Sequence, residues 1–217
     1  MIQYKKYYMP GTKEELLKTI DTIDCTYDIL AGGTDLYAKE KTPFNGADAA
    51  IDISGIKEFS VIELKKDEGL ITFGSNICIQ QFLEEQVLME NVPILRHAAI
   101  YFADQQIREM ATVGGNVANS SPSGDTIAPL TALEAVIHTI TSKDNKICEK
   151  ETPITEFITG VGKNLLEKGE VLFFIRLACR VCDLVAGGVD RRLDGVHVEH
   201  GENAVEIAEL RENQRGA

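Results

Sequence analysis

Ala111-Thr112-Val113-Gly114-Gly115-Asn116-Val117-Ala118-Asn119-Ser120-Ser121-Pro122-Ser123-Gly124-Asp125 is the stretch on which the reading of the fold turns. It holds three glycines, two asparagines, three serines and a threonine. Few of its side chains can fill a core. Many can hydrogen-bond to phosphate, ribose or a heterocycle. Asp125 is placed either to accept from a ribose hydroxyl or to cap a helix beginning at Thr126. The segment reads as a long polar loop, and loops of that length and polarity often carry function.

A second glycine segment lies upstream, at Ile29-Leu30-Ala31-Gly32-Gly33-Thr34-Asp35-Leu36. A buried strand runs into two glycines, a hydroxyl and a carboxylate. Glycines let a backbone take positive φ and come close to a ligand. Successive N–H groups can then converge on an anion, with the Thr34 hydroxyl as a further donor. A tight strand-to-helix turn capped by Thr34 or Asp35 accounts for the same residues without a ligand. Other nucleotide signatures are missing: no G-x-G-x-x-G follows a strand. Gly160-Val161-Gly162-Lys163-Asn164 resembles a P-loop only superficially, since Phe157 stands where the first glycine belongs and Asn164 replaces the Ser/Thr.

Around these segments the pattern is strand, helix, strand at the start. Thr12 and Glu15 form a capping box ahead of an amphipathic helix from Lys13. Strands are predicted at 27–31, 49–53, 61–64 and 70–74, the last two joined by a turn at 66–69. Helical patterns cover 79–90, 92–102 and 126–134. Strands at 135–141 and 146–151 flank a turn at 142–145, and 170–177 is a final strong strand. Such an order indicates an α+β protein with a partly antiparallel sheet.

The chain has 217 residues, 44% hydrophobic and 26% charged, as in an ordinary globular protein. A net charge of −12 repels nucleic acid, and no basic patch offsets it. No run reaches the roughly 18 apolar residues of a membrane span. The N-terminal ten residues lack the apolar region of a signal peptide, so a cytoplasmic location is expected. Five cysteines, mostly far apart, argue against a disulfide framework. Cys179-x-x-Cys182 has no second pair, with only His197 and His200 nearby, so no metal site is assigned.

Ala-Gly-Gly-Thr-Asp-Leu at 31–36 and Gln-Ile-Arg-Glu-Met-Ala-Thr-Val-Gly-Gly-Asn-Val-Ala-Asn-Ser-Ser-Pro-Ser-Gly-Asp at 106–125, in this order and spacing, resemble the FAD-binding subunit of the xanthine dehydrogenase family of molybdenum hydroxylases. The likeness covers roughly residues 1–178. It implies the two-subdomain FAD-binding fold of the PCMH/VAO-like type: an N-terminal FAD-binding subdomain over 1–58 and a second, with a mixed or antiparallel sheet, over 59–178. In that family the two loops hold the pyrophosphate and ribose, largely through backbone. Carried across, Ile29, Leu30, Ala31, Gly32, Gly33, Thr34, Asp35 and Leu36 form one wall, with Gly32, Gly33 and Thr34 nearest the phosphates. Ala111, Thr112, Gly115, Asn116, Ala118 and Asn119 form the other, and Gly124 and Asp125 lie by the adenosine half. Phe102 precedes the second loop where the family often has an aromatic contact. Val171 and Leu172 match the family's G-E-[IV]-[IL] strand beside the cofactor, although plain sheet core explains them as well.

The resemblance implies a subunit that passes electrons and does not itself oxidise the organic substrate. Hydroxylation would occur at a molybdopterin centre on a large subunit. Electrons would reach FAD here through 2Fe-2S clusters on a small subunit, and then pass to NAD⁺ or another acceptor. No catalytic acid, base or nucleophile is assigned; His97 and His138 read as structural or exposed. Purines are the first expectation for the substrate. The likeness stops after Arg176-Leu177, where family members continue into a C-terminal subdomain that helps cover the flavin ring. A truncated, non-catalytic remnant or interaction protein of the same fold is therefore the alternative.

Residues 179–217 read as an atypical tail. The first 179 residues hold fourteen Lys and three Arg, whereas residues 180–217 hold no Lys and five Arg. A different coding origin, such as a frameshift or vector sequence, is the hypothesis. An uninterrupted native reading frame through Arg180, found by resequencing the gene, would exclude it.

Overall fold

Ala49-Ala50-Ile51 is an apolar run because its strand is covered on both faces. β3 (Ala49–Asp52) is the middle strand of a three-stranded sheet, between β1 (Lys6–Tyr8) and β2 (Tyr27–Leu30). Both neighbours run parallel to it, and Ala49, Ala50 and Ile51 are fully buried. The computed structural model describes residues 4–38, 47–143 and 146–179. The tail from Arg180, Cys182, His197, His200 and part of the turn at 142–145 lie outside the described residues.

α1 (Lys13–Thr22) connects β1 and β2. Thr12 caps it, its Oγ1 accepting from Glu15 N–H at 3.2 Å. The Glu15 carboxylate reaches back to Gly11 N–H at 2.7 Å, one residue before the cap itself. Leu16, Leu17 and Ile20 lie at the three- and four-residue spacing of one helix face, and all three are buried.

The second sheet lies within residues 62–178 and is antiparallel throughout. Its order is β4 (Ile62–Lys65), β5 (Leu70–Gly74), β10 (Val171–Ala178), β6 (Val136–Lys143) and β7 (Lys146–Pro153). Between β5 and β6 the chain forms α3 (Gln81–Glu84), α4 (Gln86–Asn91), α5 (Pro93–Tyr101), α6 (Gln105–Met110), α7 (Val113–Asn119) and α8 (Ile127–Ala132). After β7 come α9 (Ile154–Phe157) and a hairpin of β8 (Ile158–Gly160) and β9 (Lys163–Asn164). The family of sheets and helices is α+β, as the sequence indicated.

Several details differ from the sequence reading, which had no element over 154–164 where α9 and the β8–β9 hairpin form. The helical pattern over 79–90 is broken at Glu85, whose backbone is extended, so that α3 and α4 are separate. α6, capped by Asp104, was not anticipated. The helix read over 126–134 is confined to Ile127–Ala132. The glycine segment at 111–125 contains a helix where a loop was expected, for reasons given below.

The core has two parts. The larger surrounds Phe73, Phe82, Leu88, Leu95, Val113, Val117 and Ile175. The smaller collects Leu16, Leu17 and Ile51 from the first sheet and its helix, Phe59 from the connection, and Ile140 and Val171 from the second sheet. It is the apolar seam where the two sheets meet. A bulge in β10 between Leu172 and Phe174 leaves Phe173 facing this seam, with its ring 4.9 Å from Phe59.

His138 lies on β6, 3% exposed, stacked on Phe174 at 3.9 Å between ring centroids. Its Nδ1 is 3.5 Å from Glu151 Oε1, and Arg176 holds that carboxylate at 3.0 and 2.5 Å. Burial lowers the His138 pKa from 6.5 to about 4, against the opposing pull of Glu151. The unfolded chain takes up a proton first as pH falls, so His138 costs stability progressively between 6.5 and about 4. Glu151 is shifted down chiefly by its hydrogen bond to Arg176, so its contribution is lost only at more acid pH. Urea unfolding across this range should show the decline, and His138→Phe should flatten it above pH 4. An unchanged slope in the variant would refute the assignment. No helix among the described residues is long and apolar enough to cross a membrane.

Candidate functional site

The first glycine segment leaves the end of β2. Leu30 O still accepts from Ile53 N–H at 2.9 Å, the last bond tying it to the sheet. Gly33 has φ 71°, a left-handed conformation that turns the chain into α2 (Thr34–Ala38). Gly32 is needed for a different reason. A Cβ there would overlap the Met110 carbonyl, lying 2.7 Å from its carbon and 3.1 Å from Ala111 Cα. The two glycine segments, about eighty residues apart, are therefore in backbone contact at this point. The N–H groups of Ala31, Gly32 and Gly33 donate to none of the described residues, and all three residues are only half-buried.

The second segment has the opposite character. Ala111 O accepts from Ile79 N–H at 2.9 Å, and Thr112 forms an isolated bridge with Cys78. Val113 N–H donates to Ile77 O and Gly114 N–H to Ser75 O, both at 2.9 Å. Gly115 N–H goes to Thr112 Oγ1 at 3.1 Å, and Asn116 N–H to Thr112 O at 3.0 Å. The donors at the start of α7 are thus already used by the protein. Val113 and Val117 are fully buried, correcting the expectation that few side chains here enter a core. Gly114 is required because a Cβ would lie 2.7 Å from Ser75 O.

Asn116 Oδ1 accepts from Thr126 Oγ1 at 2.6 Å, folding residues 121–126 back over α7. A Cβ on the buried Gly124 would come within 3.1 Å of the same Oδ1. Asp125 is exposed and does not cap α8; Thr126 occupies that position without a side-chain cap bond. Asn119 and Ala118 are half-buried at the end of α7. Phe102 is buried in the larger core and offers its carbonyl to Arg108 Nη1 at 3.0 Å. Val171 and Leu172 are 4% and 5% exposed, the first packed in the seam and the second in the larger core. The structure thus brings Gly32 against Met110 and Ala111, gathers 116–126 about α7, and places Phe102, Val171 and Leu172 in the core.

Ser75, Ile77 and Ile79 were not singled out from sequence, yet they hold the second segment through backbone carbonyls and N–H groups. No side-chain signal marks such a role. Burial raises the pKa of the Cys78 thiol, so it is protonated at neutral pH and is a poor nucleophile. The 160–164 stretch is part of a β-hairpin with Gly162 at φ 64°, not a strand-to-helix phosphate loop.

The fold and site define an α+β domain in which a glycine segment at the end of the parallel sheet meets, backbone to backbone, the junction of α6 and α7. Residues 2–177 match the family described as the FAD binding domain in molybdopterin dehydrogenase, and the chain belongs to that family. It is 29% identical over 171 residues to the nicotinate dehydrogenase FAD-subunit of Eubacterium barkeri, covering 77% of this chain and 56% of that protein. It is 32% identical over 144 residues to the xanthine dehydrogenase FAD-binding subunit of Escherichia coli O157:H7, covering 66% and 48%. Carbon monoxide dehydrogenase from Hydrogenophaga pseudoflava shares the fold with a TM-score of 0.75 and 26% identity, covering 82% of this chain and 60% of that one. The reconstituted CO dehydrogenase of Oligotropha carboxidovorans, at 23% identity and TM-score 0.76, covers the same shares. The chain spans about half the length of the curated relatives it matches.

Proposed function

We propose that the chain binds FAD between its two glycine segments and serves as the electron-transfer subunit of a molybdenum hydroxylase. The observation that carries this is the contact between Gly32 and Met110–Ala111, beside a half-buried row of N–H groups at Ala31, Gly32 and Gly33 that the described residues leave without an acceptor. A pyrophosphate supplies such acceptors, and neutral N–H groups can hold it without a lysine or arginine. In this reading Ala31, Gly32, Gly33 and Thr34 hold the phosphates. The spent donors of α7 make the second segment a rigid wall, with Asn116, Ala118 and Asn119 along it and Gly124 and Asp125 toward the adenosine. Val171 and Leu172 act from beneath, as packing.

When bound, FAD supplies the redox chemistry, and the protein's part is to bind, orient and tune it. The complex would include a molybdopterin-binding large subunit and a 2Fe-2S small subunit in the cytoplasm. NAD⁺ is the proposed electron acceptor and a purine the first substrate to test. Because the organic substrate would bind on the large subunit, this chain alone should show no turnover.

The test is a visible spectrum of the purified chain, taken before and after adding FAD and desalting. A flavin band near about 450 nm, retained in near-stoichiometric amount, is expected. A chain that stays colourless after FAD addition would refute FAD binding by these segments and favour a non-catalytic member of the fold.

A further inference from the structure

The β8–β9 hairpin lies outside both glycine segments, yet its polar contacts run to one of them. Asn164 Nδ2 donates to Ala118 O at 2.7 Å and to Ser120 Oγ at 3.1 Å. Gly162 N–H donates to Ser120 O at 2.9 Å. The amide oxygen of Asn164 accepts from Leu166 N–H at 3.0 Å, which fixes the side chain from the chain just past β9. Ser120 itself is 2% exposed and left-handed, with φ 50°, and its N–H and hydroxyl both go back to Val117 O.

The last carbonyls of a helix have no partner within it and need one from elsewhere. Here Ser120 meets one of them, and Asn164 supplies another from forty-six residues away in sequence. The start of α7 is fixed by Ser75, Ile77 and Thr112, and its middle by Thr126. Asn164 is a side chain from outside the segment that holds its end, beside the Ser120 hydroxyl.

We propose that Asn164 is a positioning residue for FAD. By holding Ala118 O and Ser120 Oγ it sets the direction of residues 116–125, the part of the wall that leads to Gly124 and Asp125 on the adenosine side of the cofactor. The inference rests on the FAD reading given above. It assigns Asn164 no contact with the cofactor.

Asn164→Asp keeps the oxygen that receives Leu166 N–H but replaces the amide donor with a carboxylate oxygen facing Ala118 O. Three quantities are measured on the full chain: the Kd for FAD, the Kd for ADP by competition, and the visible circular dichroism of bound flavin at saturating FAD. Both Kd values should rise by about tenfold and by the same factor, as expected for a buried acceptor left unpaired. The flavin dichroism should not change. An FAD Kd within twofold of wild type would overturn the proposal. So would an unmoved ADP Kd, or a changed flavin dichroism, which would point to general loosening of the site. If Asn164→Asp does not fold, Asn164→Ser carries the same measurements with the same criteria. Wild-type chain that binds FAD but not ADP would refute the adenosine-side role while leaving the FAD site intact. Wild-type chain that binds neither would refute the underlying reading, a result seen before any variant is made.

Discussion

Gly32→Ala is expected to abolish FAD retention on desalting, with affinity lowered at least about a hundredfold, while Gly33→Asn keeps most of it. The two neighbours are glycines for different physical reasons. At Gly32 the added methyl would overlap the Met110 carbonyl and stand 2.7 Å from its carbon. Both partners are backbone, so no side-chain rotamer can relieve the clash, and overpacking of this kind costs about 1–3 kcal/mol or more. Relief requires the first segment to move away from Met110–Ala111, which changes the width of the site directly. Gly33 has a left-handed φ of 71°, which asparagine adopts more readily than most other residues. Gly55→Ala is the control: nothing lies within 4 Å of a Cβ there, and FAD retention and Tm should be unchanged. Equal losses in Gly32→Ala and Gly33→Asn would show that the segments need only flexibility, and the close-contact argument would fail.

Much of the scaffold could be read from the sequence because local and tertiary preferences agree there. The Thr12–Glu15 box, the buried run at 49–51 and the antiparallel pairs about Gly69 each carry their own signal. Both glycine segments stood out as a candidate site through their composition and order. What could not be read was the state of the second one. Gly-Gly-Asn-Val-Ala-Asn has poor helix propensity, glycine costing about 1 kcal/mol relative to alanine. α7 forms because Ser75 and Ile77 carbonyls and the Thr112 hydroxyl receive its first donors and because Val113 and Val117 enter the core. The Ser75 and Ile77 carbonyls lie more than thirty residues upstream, so no local window contains them, and the Thr112 cap that such a window does contain is not sufficient by itself. The same holds for Gly32, whose neighbour Met110 is set by tertiary structure alone.

This difference between the segments makes chemical sense of the pair. A site that holds an anion by backbone needs free donors on one wall and a fixed surface on the other. In the first segment Ala31, Gly32 and Gly33 donate to none of the described residues, whereas the first donors of α7 are spent on Ile77, Ser75 and Thr112. Mobility in the second would alter the spacing of the first, since the two touch at Gly32.

The distance between the walls must also be held from behind, and the seam around Phe59 does this. Phe59 is fully buried, packs on Phe173 of β10, and shares a cluster with Ile51 of the first sheet and Ile140 of the second. Its carbonyl accepts from Asn76 N–H at 2.8 Å, and the Asn76 side chain in turn donates to Ile53 O at 2.6 Å. Ile53 follows the strand beside the first glycine segment, and Ser75 holds the second. Phe59→Ala should cost about 3–5 kcal/mol. For a chain of this size that corresponds to a fall in Tm of roughly 10 °C. Leu88→Ala, a fully buried position in the larger core, should lower Tm by a comparable amount. The two should differ in FAD affinity measured well below either Tm. Phe59→Ala loosens the join between the walls and should weaken FAD by about tenfold or more, whereas Leu88→Ala should leave the Kd within about twofold. If both variants weaken FAD equally, the seam has no special role, and affinity simply follows the stability of the whole fold.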